Sequence, residues 1–203
     1  DYLEINRQLL TSANAFGLLP DTSILHIAHT DVYSFLKTTS VKYDVVIIAL
    51  PDPTSVQMNR YYSDEFMGIL KSNLRAGAVT IYGLNPSGNY ISEWQNAKIS
   101  LIWNTLATFF HHVEIIPGEK DFLLASDSLL STGIGELCAQ RMIENVYVNP
   151  DYIDDQSLAL RSAFIREQID TKAGINTNEK ALPVFFSTLK YLSRFDINIY
   201  LFL

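Results

Sequence analysis

Three carboxylates stand where strand-like runs end: Glu4 after "DYL", Asp31 after "SILHIAHT" and Asp52 after "YDVVIIALP". In an open parallel sheet, ligands bind beyond the carboxyl ends of the strands, and an acidic residue closing the second strand is where nucleotide-binding α/β folds hold ribose hydroxyls. Each carboxylate also has a plainer reading. Glu4 is then a solvated strand-end charge, Asp31 an N-cap for the helix of Val32, Phe35 and Leu36, and Asp52 a turn former between two prolines. Other chemistry is sparse. His26 and His29 lie three apart on a strand and point to opposite faces, His111 and His112 meet a helix end, and no metal site is expected. There is no G-x-S-x-G elbow or P-loop; "STGIGEL", with Gly133 and Gly135, reads as a loop and helix start, and Cys138 sits on a helical stripe with core-like neighbours.

The elements that must position these groups alternate. "DYLEI", a helix from Asn6 to Phe16, "SILHIAH", a helix from Val32 to Thr38 and "YDVVIIAL" give βαβα order, which predicts a largely parallel sheet covered on both faces. The next helix has Ser63 at its N-cap, Asp64 and Glu65 in its first turn, an apolar stripe of Phe66, Ile69, Leu70 and Leu74, and Gly77 as its left-handed stop. Strand "AVTIYGL" follows, then the loop "NPSGNY" and a helix from Ser92 to Phe110 with Trp94, Leu101, Ile102, Leu106 and Phe109 on its inner side. "VEIIP" and "DFLLAS", joined through Gly118, Glu119 and Lys120, predict an antiparallel hairpin at the sheet edge. After Ser126 only helical stretches are expected, around Ile134 to Glu144 and Ser157 to Ile169, ending in "ALPVFFSTLKYLSRF". The predicted organisation is an α/β domain over residues 1–126 and a helical annex over residues 127–203.

Composition bounds the partners. A chain of 203 residues that is 48% hydrophobic can bury one substantial core, and a net charge of −7 argues against nucleic acid or an anionic membrane bound through a basic field. A small cationic ligand fits that charge. One cysteine excludes an intrachain disulfide framework and fits a reducing compartment. The start, "DYLEINRQLL", is not a signal peptide, and no run reaches the ~18 apolar residues of a membrane helix. Both ends read as interior to a longer protein, because the first residues are already strand-like and the closing "INIYLFL" grows steadily more apolar.

The ordered set "DYLEIN", "HTDVYSFL", "YDVVIIALPDP", "NRYYSDEFMGILKSNLRAGAVTIY" and "PGEKDFLLAS" resembles the spermidine/spermine synthases, the polyamine aminopropyltransferases. The likeness covers residues 1 to about 126, and "PDP" before "NRYYSDEF", with "YVNPDYIDD" and "LPVFFSTLKYLSRF" in the annex, is more similar to the membrane-fused type. It implies a class I methyltransferase-type Rossmann fold with a mostly parallel sheet. It also implies aminopropyl transfer from decarboxylated S-adenosylmethionine to a polyamine, with no separate cofactor. Glu4 would take the ribose hydroxyls of that nucleoside or of methylthioadenosine, and Asp31 would face the adenine amino group. Asp52 matches the second acid of the family's Asp-x-x-Asp loop, which helps hold the amine, with Tyr62 and Tyr82 bordering the same place. The implied setting is a cytoplasmic domain of an integral membrane protein, in a bacterial inner membrane, anchored by segments outside this chain.

Three departures weigh on activity. The family's first loop acid, which deprotonates the attacking amine, corresponds to Ala49, and loss of a general base slows such a step ~100- to 10,000-fold. The glutamine common on the next strand is Tyr82. The first strand and its glycine-rich loop would lie upstream of Asp1. That strand belongs at the centre of the sheet, so two unpaired edges are expected, to be completed by upstream residues, strand exchange or a homodimer. The alternatives to aminopropyl transfer are a non-catalytic ligand-sensing or scaffold domain of a membrane protein, and an S-adenosylmethionine-dependent methyltransferase.

Overall fold

A computed structural model describes residues 1–19, 23–88 and 90–195, so the closing run "INIYLFL" and Asn89 of the loop "NPSGNY" lie outside the described residues. The chain forms two compact units, Asp1–Val41 and Lys42–Leu203.

In the first unit, β1 (Tyr2–Leu3) pairs in parallel with β2 (Ile27–Ala28), in the register Tyr2 to Ile27 and Leu3 to Ala28. The regular strands are much shorter than the runs "DYLEI" and "SILHIAH". Helix α1 (Arg7–Ala15) starts where the Asn6 side chain accepts the N–H groups of Gln8 and Leu9, and α2 (Val32–Thr38) starts where Asp31 accepts that of Ser34.

The second unit holds β3 (Tyr43–Ile48), a short α3 (Val56–Asn59) running into a 3-10 turn at Arg60–Tyr62, α4 (Asp64–Ser72) and β4 (Leu74–Leu84). It continues through α5 (Glu93–Phe109), β5 (His112–Ile116), β6 (Asp121–Ser126), α6 (Ile134–Gln140), α7 (Asp155–Glu167) and α8 (Leu182–Leu192). Its sheet runs β3-β4-β6-β5, with β3 and β4 parallel and the other pairs antiparallel. The hairpin therefore enters the sheet by its second strand, leaving β5 as the edge. In sequence order the carboxyl ends of β3 and β4 and the amino end of β6 lie at the same end of the sheet, because β6 runs against β4.

The core follows from the register. Ile48, Tyr82, Leu123 and Ile115 are laterally paired into one row across all four strands, and each is at most 4% exposed. Phe66, Met67 and Leu70 of α4 and Ile99, Ile102 and Leu106 of α5 are also buried, and α5 packs against both β5 and β6. Helix α8 packs along α5, and α7 lies against β5.

The sheet departs from the expected cover on both faces. In the next row, Ile47 is 63% exposed, as is much of Val45, so the face that points away from Tyr82 is left open beside β3. The expectation of unpaired edges agrees with this pattern: among the described residues β3 pairs only with β4, and β1 only with β2. The two faces should respond differently to substitution. Ile48→Ala is expected to lose about 2–5 kcal/mol in denaturant unfolding, whereas Ile47→Lys should stay within about 0.5 kcal/mol. A lysine on such an edge should also reduce self-association measured by light scattering; equal losses from both substitutions would contradict the assignment of faces.

Gly77 is not the stop of α4. That helix ends at Ser72, and the Asn73 side chain donates to the carbonyl of Ile69 at 2.9 Å, satisfying one of the last-turn acceptors. Gly77 (φ +74°) instead makes a bulge in β4, where Tyr43 faces Leu74 but Val45 faces Val79.

Candidate functional site

Asp52 follows β3 in the segment Leu50-Pro51-Asp52-Pro53, and both Asp52 and Pro53 are buried. A buried turn must satisfy every backbone polar group, and two prolines remove two donors that would need partners. The carbonyls that remain are met. The Tyr62 hydroxyl donates to the carbonyl of Pro51 at 2.9 Å and lies 3.3 Å from that of Leu50, while Ser187 of α8 donates to that of Pro53 at 3.4 Å. The carboxylate itself points inward. Its Oδ1 accepts the backbone N–H of Asn85 at 2.7 Å, and its Oδ2 carries the ammonium of Lys98 from α5. The two side chains of this ion pair are 4% and 3% exposed.

A polar network extends from that pair. Gln95, one turn before Lys98 on α5, donates to the carbonyl of Asn85 at 3.1 Å and accepts from Lys190 of α8 at 2.8 Å. A second buried carboxylate holds the far side of the same loop: Asp121, at the start of β6, accepts the Ser87 N–H at 2.6 Å and also the Ser87 hydroxyl through Oδ2. Its Oδ1 is buried with no hydrogen-bond partner. The segment from Asn85 to Ser87 is thus clamped between two carboxylates at the carboxyl end of β4.

Of the residues expected at a site, the structure brings Asp52, Tyr62 and Tyr82 together in the second unit. The Tyr62 and Tyr82 rings are 5.5 Å apart, both side chains are fully buried, and the Tyr82 hydroxyl donates to Sδ of Met67 at 3.0 Å. Burial raises both phenols above the ordinary tyrosine range, and the Asp52 charge adds to this at Tyr62, as Tyr62 does at Tyr82. Ala49 is exposed just beyond β3. Glu4 and Asp31 belong to the first unit. Glu4 accepts the N–H of Asn6 at 2.7 Å, and Asp31 accepts the N–H and hydroxyl of Ser34, both at 3.1 Å.

Lys98, Gln95, Asn85, Ser87 and Asp121 complete the site without being among the residues that stand out as candidates in the sequence. Lys98 left a signal: it lies four residues after Trp94 and four before Ile102, on the inner stripe of α5, and a cation on a buried stripe requires a buried anion. Asp121 left none, since a carboxylate opening a strand is unremarkable in sequence.

At the other end of α5, a groove of about 600 Å3 is lined by residues that include Trp103, Phe109, His112, Glu114 and Arg166, and it contains none of the expected site residues. Nearby, Lys71 meets Asp127 at 2.5 Å and the His111 ring lies 2.9 Å from it. The hydrogen bond from Lys71 is the main reason the Asp127 carboxyl titrates at about 2. A carboxyl depressed on folding stabilises the fold above its unfolded pKa and loses that contribution as pH falls through about 2. Carboxyl NMR titration should place Asp127 near 2, and Lys71→Ala should move it back towards the ordinary carboxylate range; an unchanged titration would mean that Lys71 is not the cause.

An alternating α/β chain with a buried carboxylate at the tip of a parallel strand, and an antiparallel hairpin after the last parallel strand, defines a Rossmann-like fold of the class I methyltransferase type. Solved structures share it: a spermidine synthase in complex with the transition-state analogue AdoDATO (TM-score 0.62, 16% identity, 82% of this chain and 59% of that one) and human methyltransferase-like protein 13 in complex with SAH (TM-score 0.53, 16% identity, 74% and 76%). Within that class, residues 3–87 match the model of the spermine/spermidine synthase domain. A polyamine aminopropyltransferase of Oceanobacillus iheyensis is 32% identical over 134 residues, which are 65% of this chain; the chain spans a quarter of that relative's length. Among the described residues no helix is long and apolar enough to cross a membrane.

Proposed function

We propose that the chain is a spermidine synthase-type domain in which amine chemistry is blocked at Asp52, and that it serves as a non-catalytic ligand-sensing or scaffold domain. The observation that carries this reading is the buried contact of the Lys98 ammonium with the Asp52 carboxylate. In aminopropyl transfer a polyamine nitrogen must reach the carboxylate, lose a proton, and attack the methylene beside the sulfonium of decarboxylated S-adenosylmethionine, releasing methylthioadenosine. A carboxylate with both oxygens engaged internally does not receive that amine. Ala49, at the position that the resemblance gives to the base, cannot accept the proton. Glu4 and Asp31 remain the groups proposed for the nucleoside, the first for ribose hydroxyls and the second for the adenine amino group. Attachment to a membrane through segments outside this chain belongs to the same reading.

The second reading is an active aminopropyltransferase, favoured by the 32% identity to a curated polyamine aminopropyltransferase. Incubation with decarboxylated S-adenosylmethionine and putrescine or spermidine, with methylthioadenosine quantified by chromatography, separates the two. No release above a protein-free blank is expected, alongside calorimetric binding of methylthioadenosine itself. Release that disappears in Asp52→Ala would overturn the non-catalytic reading in favour of the second. Methyl transfer from S-adenosylmethionine to an added acceptor would instead support a methyltransferase.

A further inference from the structure

At the corner where α3 turns into α4, the Oδ1 atoms of Asn59, Asp64 and Asn176 are buried and have no hydrogen-bond partner among the described residues. Asn59 is 1% exposed and Asn176 is fully buried. Hydrogen bonds hold the three residues together. The Asn59 amide donates to the carbonyl of Thr177 at 3.2 Å, the Asn176 amide donates to that of Tyr62 at 2.9 Å, and the backbone N–H of Asp64 donates to the carbonyl of Asn176 at 2.9 Å. These contacts settle which end of each amide is left over: the nitrogens are used and the oxygens are not. Oxygens that only accept cannot satisfy one another, so three of them require a donor or a cation.

Charge decides between the two. Asp64 is half-buried, and the exposed Glu65 beside it takes the N–H of Asn178 at 3.1 Å, which brings two carboxylates to the same corner. The amino end of a helix favours acids by itself, so the carboxylates alone would define no site; the stranded amide oxygens do. One water would bring two hydrogens to three oxygens and no charge, whereas a cation meets the amide and carboxylate oxygens together. Among the described residues no three His, Cys, Asp or Glu side chains gather as a metal site, and two of the three oxygens here belong to amides.

We propose that this corner binds one hard divalent cation of the calcium class, with Asn59, Asp64 and Asn176 supplying side-chain oxygens and Glu65 at the open rim. Amide and carboxylate oxygens suit such an ion over the transition metals, and Mg2+ gives up its own water more reluctantly and needs a stricter octahedron. Solvent reaches the corner from the side of Asp64 and Glu65. The cation ties residues 176–178, between α7 and α8, to the helix corner that follows the Asp52 turn. The site is separate from the nucleoside and amine readings and does not depend on them.

The test is calorimetric titration of the whole chain with Ca2+ and, separately, with Mg2+, followed by thermal denaturation. One-to-one saturable Ca2+ binding is expected, at least ~10-fold tighter than Mg2+, with Tm rising by roughly 5–10 °C at a free concentration of about 100 times Kd. Asp64→Asn, which keeps the shape and removes the charge, should weaken Ca2+ at least ~10-fold, whereas Glu119→Gln, at an exposed acid of the β5–β6 turn, should leave it unchanged. Asn59→Asp exchanges a neutral oxygen for a charged one; it should be less stable than the wild type without Ca2+ and gain more in Tm with it. No saturable binding by the folded chain overturns the proposal and leaves the corner to ordered water. Binding undiminished in Asp64→Asn, or Mg2+ bound as tightly, places the ion on the acidic surface at large and overturns it equally. Should Asp64→Asn not fold, Asn59→Asp decides, and a gain in Tm, or a recovery of circular dichroism, no larger with Ca2+ than the wild type shows overturns the proposal.

Discussion

Lys98→Met should destabilise the second unit by about 3–5 kcal/mol, because it removes the charge that compensates a buried carboxylate while nearly preserving volume. For a unit of this size that is a fall of roughly 6–20 °C in Tm. Asp52→Asn should cost a similar amount for the mirror-image reason, since the ammonium is then the uncompensated charge. The double variant should lose clearly less than the sum of the two, because a neutral pair of similar shape leaves no buried charge unpaired. Guanidinium denaturation of the four proteins gives the coupling directly. Additive losses would mean that the two side chains do not face each other in solution.

The second large effect is catalytic. Wild-type turnover should stay at the blank, and Ala49→Asp, which returns a carboxylate to the expected position of the base, should not raise it. A missing general base accounts for a deficit of ~100- to 10,000-fold on its own. Supplying it helps only if an amine can also reach Asp52, and Lys98 stands there. Methylthioadenosine release by Ala49→Asp alone would show that the amine enters with Lys98 in place, and would remove the block from the mechanism.

Much of the scaffold was readable because its signals are local. Ser63 caps α4 as its sequence context predicts, the helix expected from Ser92 to Phe110 is α5, where Ser92 is the N-cap, and "VEIIP" and "DFLLAS" form the hairpin. The errors fall where a local rule met a competing one. Gly77 reads as a helix stop, but Asn73 already closes α4 through its side chain, which frees the glycine to make the bulge. Helix α3 is a single turn and too short to show a period. Val45 and Ile47 read as strand core, yet burial of a strand face depends on what packs over it, which β3 does not encode.

The candidate site was legible as a position and not as a state. The apolar strand running into "PDP" announced a buried, presented carboxylate, and its partner lies 46 residues away on α5, beyond the reach of any local pattern. The helical period alone hinted at it, by placing Lys98 among Trp94, Leu101 and Ile102. Glu4 and Asp31 illustrate the converse: Asp31 makes the helix-capping contact that its plainer reading required, while Glu4, whose plainer reading was a solvated strand-end charge, accepts the N–H of Asn6 close by in sequence.

Lysine acylation read by mass spectrometry, with and without saturating putrescine, tests most directly whether Asp52 is held by Lys98 in place of an external amine. Lys98 should be protected far more strongly than the exposed Lys42 and Lys120, and equally so whether putrescine is present or not. Acylation of Lys98 at the rate of Lys120, or its unmasking by putrescine, would contradict the internal pair and return Asp52 to service as an amine site.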